Sequence, residues 1–379
     1  MPNTPIAVSI LTGFLGAGKT TLLNRLLKDP ALESTAVIIN EFGEVSVDHM
    51  LVEQASDGVI QLADGCLCCT VRGELVDTLA ELIEKSQLGK IQPLKRIIVE
   101  TTGLADPVPV LHSVMGDPVL VRMLRLDGVI CVVDAVNGAA TLDAHEQAVR
   151  QAAVADRIVF TKADLAEEGG EAGLRARLRA INPTAEIIDA GSGEAGVAAL
   201  FECGVYNPET KSADVRRWLG EQEHAGHHHH HHDHHDDHEC EGHGCTHPHH
   251  HHHHHDERVK SISLVHDKPV SFSTVEMFLD LLRSTQGEHL LRMKGVIEVV
   301  EDMERPLVIH GVQKLLHPPA WLPEWPEGPR GTRIVLIGYD LSEDYTRRLF
   351  SAFVGEPMID TADSAALSDN PLAIAGFRP

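Results

Sequence analysis

The segment from Gly13 to Thr20, GFLGAGKT, has the residue types and spacing of a phosphate-binding loop, G-x-x-x-x-G-K-[ST]. The small residues Gly13, Gly16, Ala17 and Gly18 let backbone N–H groups curl around phosphate oxygens. Lys19 adds a cation for the β- and γ-phosphates, and the Thr20 hydroxyl is a ligand for Mg²⁺. Thr20 and Thr21 open a helix whose positive end faces the anion. Chance produces such a match about 0.01 times in a chain of this length. Here it follows an apolar strand and opens a helix, so chance is set aside.

A nucleotide cycle also needs a sensor of the γ-phosphate. In RIIVETTG an apolar strand ends on Glu100, and Gly103 lies three residues on. An acid at a strand's C-terminal edge holds the Mg²⁺ shell or its water, and the Gly103 N–H can reach the γ-phosphate. Alone, this stretch is as readily an ordinary strand-to-turn transition; beside a phosphate loop the sensor reading is preferred. Thr161-Lys162-Ala163-Asp164 follows the apolar run RIVF and has the form of a guanine reader. The Asp164 carboxylate can accept from guanine N1–H and the exocyclic amine, a pair adenine does not offer. The Lys162 stem can lie across the base. Thr161 stands where Asn is commoner. Together these residues imply GTP and GDP as ligands.

A second chemistry is present. Cys66-Leu-Cys68-Cys69 places three thiols within four residues, soft ligands suited to Zn²⁺ and also to Co²⁺. Three protein ligands leave one position open, which suits a site that releases its metal; a buried or redox-active thiol group is the alternative. Between this cluster and the phosphate loop lies Asn40-Glu41-Phe42-Gly43-Glu44, then Asp48 and His49, where a first switch is expected. Glu41 or Glu44 could meet Mg²⁺ or the thiolate-bound metal, unless the segment is a solvated turn. Farther on, nineteen histidines lie between His224 and His255, among acids and Cys240, His243 and Cys245. Residues such as His227 and His228 offer overlapping imidazole sites for transition metals, a reservoir feeding the thiolate site. Low-complexity drift is the bland alternative.

These residues need a frame. Apolar runs at Ile6–Leu11, Ala36–Asn40, Gly58–Leu62, Arg96–Glu100, Gly128–Val133, Ile158–Thr161 and Glu186–Asp189 alternate with helical patterns. The helical patterns are Thr20–Lys28, Arg72–Lys85, Leu142–Ala153 and Ala172–Ile181. Near-continuous apolar strands between helices predict an α/β fold with a mostly parallel sheet covered on both faces. The histidine-rich stretch lacks apolar residues to bury and reads as a disordered loop. Beyond it, SISLV, a helix near Val275–Leu282, VIEVV, LVIHG, IVLIGY and a helix at Ser342–Phe353 predict a smaller α+β domain. The expected organisation is 1–205 for the nucleotide domain, 206–258 for the linker, 259–355 for the second domain and 356–379 for a tail.

The chain has 379 residues and a formal charge of −24, which argues against a general affinity for nucleic acid or anionic membranes. No apolar run approaches the roughly 20 residues of a span, and the N-terminus lacks a basic leader. A cytoplasmic location is expected, with the seven cysteines as thiols or metal ligands.

Taken in order, GFLGAGKTT, NEFGEV, GCLCC, ETTGLADP and TKAD resemble the CobW-type metallochaperone GTPases, relatives of the nickel-inserting HypB and UreG proteins. The resemblance covers nearly the whole chain; RMKG at Arg292–Gly295 and Trp321 look like features of that family's C-terminal domain. It implies a C-x-C-C site linked to the switches, slow GTP hydrolysis, and delivery of Zn²⁺ or Co²⁺ to a metalloprotein client. Softness and intrinsic affinity favour zinc, and cobalt for corrinoid synthesis stays open. No catalytic Gln or arginine finger stands out, so acceleration by a partner or a homodimer is compatible with the sequence. A histidine-rich metal buffer with a regulatory nucleotide site is the runner-up, and a small-molecule P-loop kinase the third reading.

Overall fold

The computed structural model describes residues 5–40, 59–62, 70–166, 170–193, 195–201, 258–317, 319–325 and 330–355. Seven strands form the first sheet: β1 (Ile6–Gly13), β2 (Thr35–Asn40), β3 (Val59–Leu62), β4 (Arg96–Thr101), β5 (Leu124–Asp134), β6 (Arg157–Thr161) and β7 (Glu186–Asp189). Every pairing is parallel, in the order β3-β2-β4-β1-β5-β6-β7. The β-branched runs of the sequence become strands buried on both faces, as parallel sheets require.

The helices of this half are α1 (Lys19–Leu26), α2 (Thr70–Gln87), α3 (Val108–Gly116), α4 (Leu120–Met123), α5 (Gly138–Ala144), α6 (Glu146–Val154), α7 (Gly170–Ile181) and α8 (Val197–Leu200). Leu22, Leu23 and Leu26 of α1 fill one side of the sheet against Leu11, Ile98, Val132 and Val159. On the other side Leu75, Leu79, Leu111, Val149 and Leu178 pack against Val8, Ile10, Ile97 and Ile158. Because β1 lies between β4 and β5, the chain leaving its C-terminal end enters the crevice where an α/β sheet takes its ligand.

One expectation is corrected here. Leu142–Ala153 is not a single helix: α5 ends and α6 begins at His145, whose backbone is extended at φ −136°, ψ 109°. Its imidazole stacks on Phe14, with ring centroids 4.4 Å apart. The break coincides with that tertiary contact, and no Gly or Pro marks it.

The second sheet is antiparallel and comprises β8 (Val259–His266), β9 (Leu290–Val299), β10 (Asp302–Val312), β11 (Leu315–Leu316), β12 (Ala320–Trp321) and β13 (Thr332–Tyr339). One face is covered by α9 (Phe272–Gln286) and α10 (Glu343–Phe353), with Phe278 and Phe350 in T-shaped contact at 5.5 Å. Ser271 and Ser342 cap these helices by accepting from the Thr274 and Tyr345 N–H groups. The opposite face meets the first domain: Val296, Val308, Val335 and Ile337 join the apolar cluster of α3, α6 and the parallel sheet. The two sheets thus share one continuous core.

Candidate functional site

The phosphate loop is built by close backbone approach. Gly13 has φ +139°, and a Cβ there would lie 2.3 Å from the Val132 carbonyl oxygen, so no side chain fits. The Ala17 N–H donates to the Phe14 carbonyl at 3.1 Å and closes the turn. Lys19 is buried; its Nζ donates to the carbonyls of Gly13 (2.9 Å) and Phe14 (3.3 Å). The ammonium is therefore held inside the arc that would surround a phosphate chain. Thr21, by contrast, is exposed on the first turn of α1.

Two other nucleotide motifs are tied to this loop. The Thr20 hydroxyl donates to Glu100 Oε1 at 2.9 Å, so helix start and strand end present a hydroxyl and a carboxylate side by side. Hard oxygens of this kind suit Mg²⁺. The Thr161 hydroxyl donates to the Ala17 carbonyl at 2.6 Å, and Lys162 Nζ to the Gly16 carbonyl at 2.9 Å. A short hydroxyl at 161 thus anchors the Thr161–Asp164 turn directly to the phosphate loop. Asp164 lies exposed in the 3-10 turn that follows, with its carboxylate accessible.

Sequence reasoning gave no role to Asp134. Its Oδ1 accepts from the Val136 N–H (2.8 Å) and Asn137 N–H (3.2 Å), and its Oδ2 from Lys162 Nζ (2.7 Å). Burial pushes this carboxyl up, but the Lys162 ammonium, the Asn137 amide and the two backbone N–H groups outweigh it and hold it below the usual range. Its position at the end of an apolar strand, like that of Glu100, was the available signal. Asp134 fixes Lys162, and Lys162 in turn holds Gly16.

Gly103 packs against the phosphate loop itself. A Cβ at Gly103 would lie 2.5 Å from Leu15 Cα and 2.6 Å from Leu15 N. The turn at Gly103 and the loop therefore touch backbone to backbone, without a side chain between them. A cavity of about 210 Å³ opens beside this junction, lined by Phe14, Leu15, Asp134, Asn137 and Gln151 among others. Cys131 also lines it, and burial pushes its thiol up to about 12.

Glu41, Glu44, Asp48, His49 and the thiolate trio Cys66, Cys68 and Cys69 lie outside the described residues, as do His227, His228, Cys240, His243 and Cys245. Among the described residues no group of three or more His, Cys, Asp or Glu is placed to hold a metal. No helix among them is long and apolar enough to cross a membrane.

The domain contact holds a second buried polar group that sequence reasoning did not single out. Asp156 precedes β6, and its Oδ1 accepts from Arg292 (2.5 Å) and Lys294 (2.8 Å) of β9. Its Oδ2 accepts from the Val129 N–H at 2.9 Å. Burial raises the Asp156 carboxyl, but the two cations and the backbone N–H overcome it and bring it to about 2. Arg292 and Lys294 alternate on one strand face, and that spacing in RMKG was the readable sign.

Residues 7–189 match the family described as CobW/HypB/UreG, nucleotide-binding domain, and residues 259–354 match the cobalamin synthesis protein cobW C-terminal domain. The zinc chaperone YjiA of Escherichia coli (strain K12) is 33% identical over 350 residues, spanning 92% of this chain and 98% of that protein. The zinc chaperone CobW of Sinorhizobium sp is 30% identical over 391 residues, spanning 92% and 97%. The crystal structure of Zn(II)-bound YjiA GTPase from E. coli superposes with a TM-score of 0.64 at 30% identity, covering 92% of this chain and 99% of that one. With both domains matched and the likeness running the length of the chain, this protein belongs to the CobW/HypB/UreG family of P-loop GTPases, in the branch that carries the CobW C-terminal domain.

Proposed function

We propose that this protein is a GTP-hydrolysing zinc chaperone, whose nucleotide state sets its grip on Zn²⁺ at Cys66, Cys68 and Cys69. The observation that carries the nucleotide half is the triple tie at the phosphate loop: Thr20 to Glu100, Thr161 to Ala17 and Lys162 to Gly16. Phosphate cradle, metal-shell acid and base reader are thereby held in one frame. The metal half is supported by the thiolate trio in sequence and by full-length similarity to zinc chaperones.

In this reading Gly13, Gly16, Ala17 and Gly18 present backbone N–H groups to the phosphates, and Lys19 exchanges its carbonyl partners for β/γ oxygens. Thr20 and Glu100 hold Mg²⁺, which supplies charge neutralisation at the transferring phosphate when bound. Gly103 offers its N–H to the γ-phosphate, and Glu41 or Glu44 completes the first switch. With no water-orienting glutamine standing out in the sequence, hydrolysis is expected at the intrinsic rate of unassisted GTPases, on the order of 10⁻⁴ to 10⁻² per second. Loss of the γ-phosphate frees the sensor segment and loosens the thiolate site, so that the cargo passes to a metalloprotein client. The residues His227, His228, Cys240, His243 and Cys245 collect metal for that site.

Linkage supplies the test. If GTP tightens metal, metal tightens GTP by the same factor. Competitive titration of Zn²⁺ and Co²⁺ into the full chain, loaded with Mg²⁺ and a non-hydrolysable GTP analogue or with GDP, should give one site that is tighter in the analogue state. Cys68→Ser should remove that site and leave the histidine-derived sites. Equal affinity in both states would sink the coupling and return the protein to the buffer reading.

Base choice is tested separately. Asp164→Ala removes the acceptor of two guanine hydrogen bonds, one of which would be shared by inosine. Its GTP affinity should fall at least about tenfold, with ATP affinity nearly unchanged. An unaltered GTP-to-ATP ratio by nucleotide competition would exclude Asp164 as the base reader.

A further inference from the structure

Gln151 is a long polar side chain only 1% exposed, in the middle of α6. Burying a carboxamide is unfavourable unless its N–H groups find acceptors. Its Nε2 donates to the backbone carbonyls of Gly103 (3.2 Å) and Ala105 (3.0 Å). Both partners are acceptors, so only the NH₂ end of the amide can face them, and its orientation is fixed. Gln151 therefore commits its amide N–H groups to the Gly103–Ala105 segment, which it grips from behind.

The helix that carries it is itself fixed. Arg150, one residue earlier, pairs with Glu146 at 2.8 Å and with Asp106 at 3.4 Å, and its guanidinium lies 4.7 Å from the Tyr339 ring centroid on β13. The Tyr339 hydroxyl donates to the Glu146 carbonyl at 3.3 Å. The C-terminal end of α6 is held by Asn182, whose amide faces the carbonyls of Ala152 and Ala155, each at 2.9 Å. A planar trans peptide points its N–H opposite to its carbonyl. Holding the Gly103 and Ala105 carbonyls on α6 therefore presents the Leu104 and Asp106 N–H groups on the side away from that helix.

We propose that Gln151 is a positioning residue for GTP hydrolysis: its carboxamide pins Gly103–Ala105 to a helix braced by the C-terminal domain, so that this segment meets the γ-phosphate in one fixed conformation. This rests on the GTPase reading above. Gln151→Met keeps the side-chain volume and removes both donors. Gln151→Asn withdraws the amide by one methylene, out of hydrogen-bond reach of both carbonyls, and also leaves a void. A packing role leaves Gln151→Met near wild type, because the volume is kept; a positioning role makes Gln151→Met damaging despite its kept volume.

The experiment measures kcat and KM for GTP, and affinities for GDP and a non-hydrolysable GTP analogue, in wild type and both full-length variants. The expected result is GDP affinity unchanged throughout, with analogue-over-GDP preference and kcat falling about tenfold in Gln151→Met and at least as far in Gln151→Asn. Unchanged kcat and preference in Gln151→Met would overturn the proposal while leaving the GTPase reading intact. Absence of hydrolysis and of preference in the wild type would overturn both. Should Gln151→Met no longer bind GDP, amide exchange of the wild type decides. Residues 103–106 should gain protection with the analogue while 146–154 are equally protected in both states. A helix that loosens along with the segment would refute its role as a fixed reference.

Discussion

Replacing Asp156 with alanine is expected to lower the free energy of unfolding by about 3–5 kcal/mol, among the largest single-residue effects in the chain. Asp156 is fully buried, and Arg292 beside it is 1% exposed. Removing the carboxylate takes from Arg292 and Lys294 the counter-charge that Asp156 supplies in a buried contact, a cost well beyond that of a surface pair. The Val129 N–H loses its acceptor at the same time. Asp156→Asn restores the volume but not the charge, and should recover little. Replacing the whole group by apolar residues, with Asp156→Leu, Arg292→Met and Lys294→Met, should recover most of the loss, because no unpaired ion remains.

The pH dependence carries the same signature. The Asp156 carboxyl is lowered from 3.8 to about 2 in the folded protein, so its contribution is present above about pH 4 and disappears as pH falls towards 2. That interval corresponds to about 2 kcal/mol of acid-labile stability. Denaturant titrations at pH 7, 4 and 2.5 should show this loss in the wild type and a smaller one in Asp156→Asn. Equal acid sensitivity of the two proteins would assign the lability to other carboxylates.

What the sequence reveals of this molecule follows the range of the interactions concerned. The phosphate loop and Thr161–Asp164 are legible because their chemistry is carried by consecutive residues and the local backbone. The strand Glu186–Asp189 is legible for the same reason: a short apolar pair between turn signals. The helix α3 was not assigned, since PVPVLHSVMG carries two prolines and β-branched residues and shows no polar face. Pro107 and Pro109 sit at the helix start, where a missing N–H costs nothing, and the rest is buried on nearly all sides. Arg292, one of the two cations that meet Asp156, lies 136 residues away, in the other sheet. No periodicity within either segment connects them. The Thr161 tether is an intermediate case: the motif was visible, but its bond to Ala17 spans 144 residues and required the fold.

The other large effect belongs to Gly103. Gly103→Ala should reduce kcat for GTP by about 10² to 10³, the loss seen when a transition-state hydrogen-bond donor is displaced. The argument is steric. An added methyl would sit 2.5 Å from Leu15 Cα and 2.6 Å from Leu15 N, and both obstacles are backbone atoms that cannot rotate away. Two responses are available. The sensor segment retreats and carries its N–H away from the γ-phosphate, or the phosphate loop shifts at Leu15. The loop is held by the Lys162 bond to Gly16 and the Thr161 bond to Ala17, whereas the sensor segment hangs on the Gln151 amide and the end of β4. The segment should therefore be the part that yields. GDP affinity then stays near wild type while the preference for a GTP analogue is lost, a pattern that equilibrium binding of both nucleotides distinguishes from unfolding. A parallel loss of GDP affinity would show instead that the phosphate loop gives way, and that its tethers are weaker than the packing of Gly103 against Leu15.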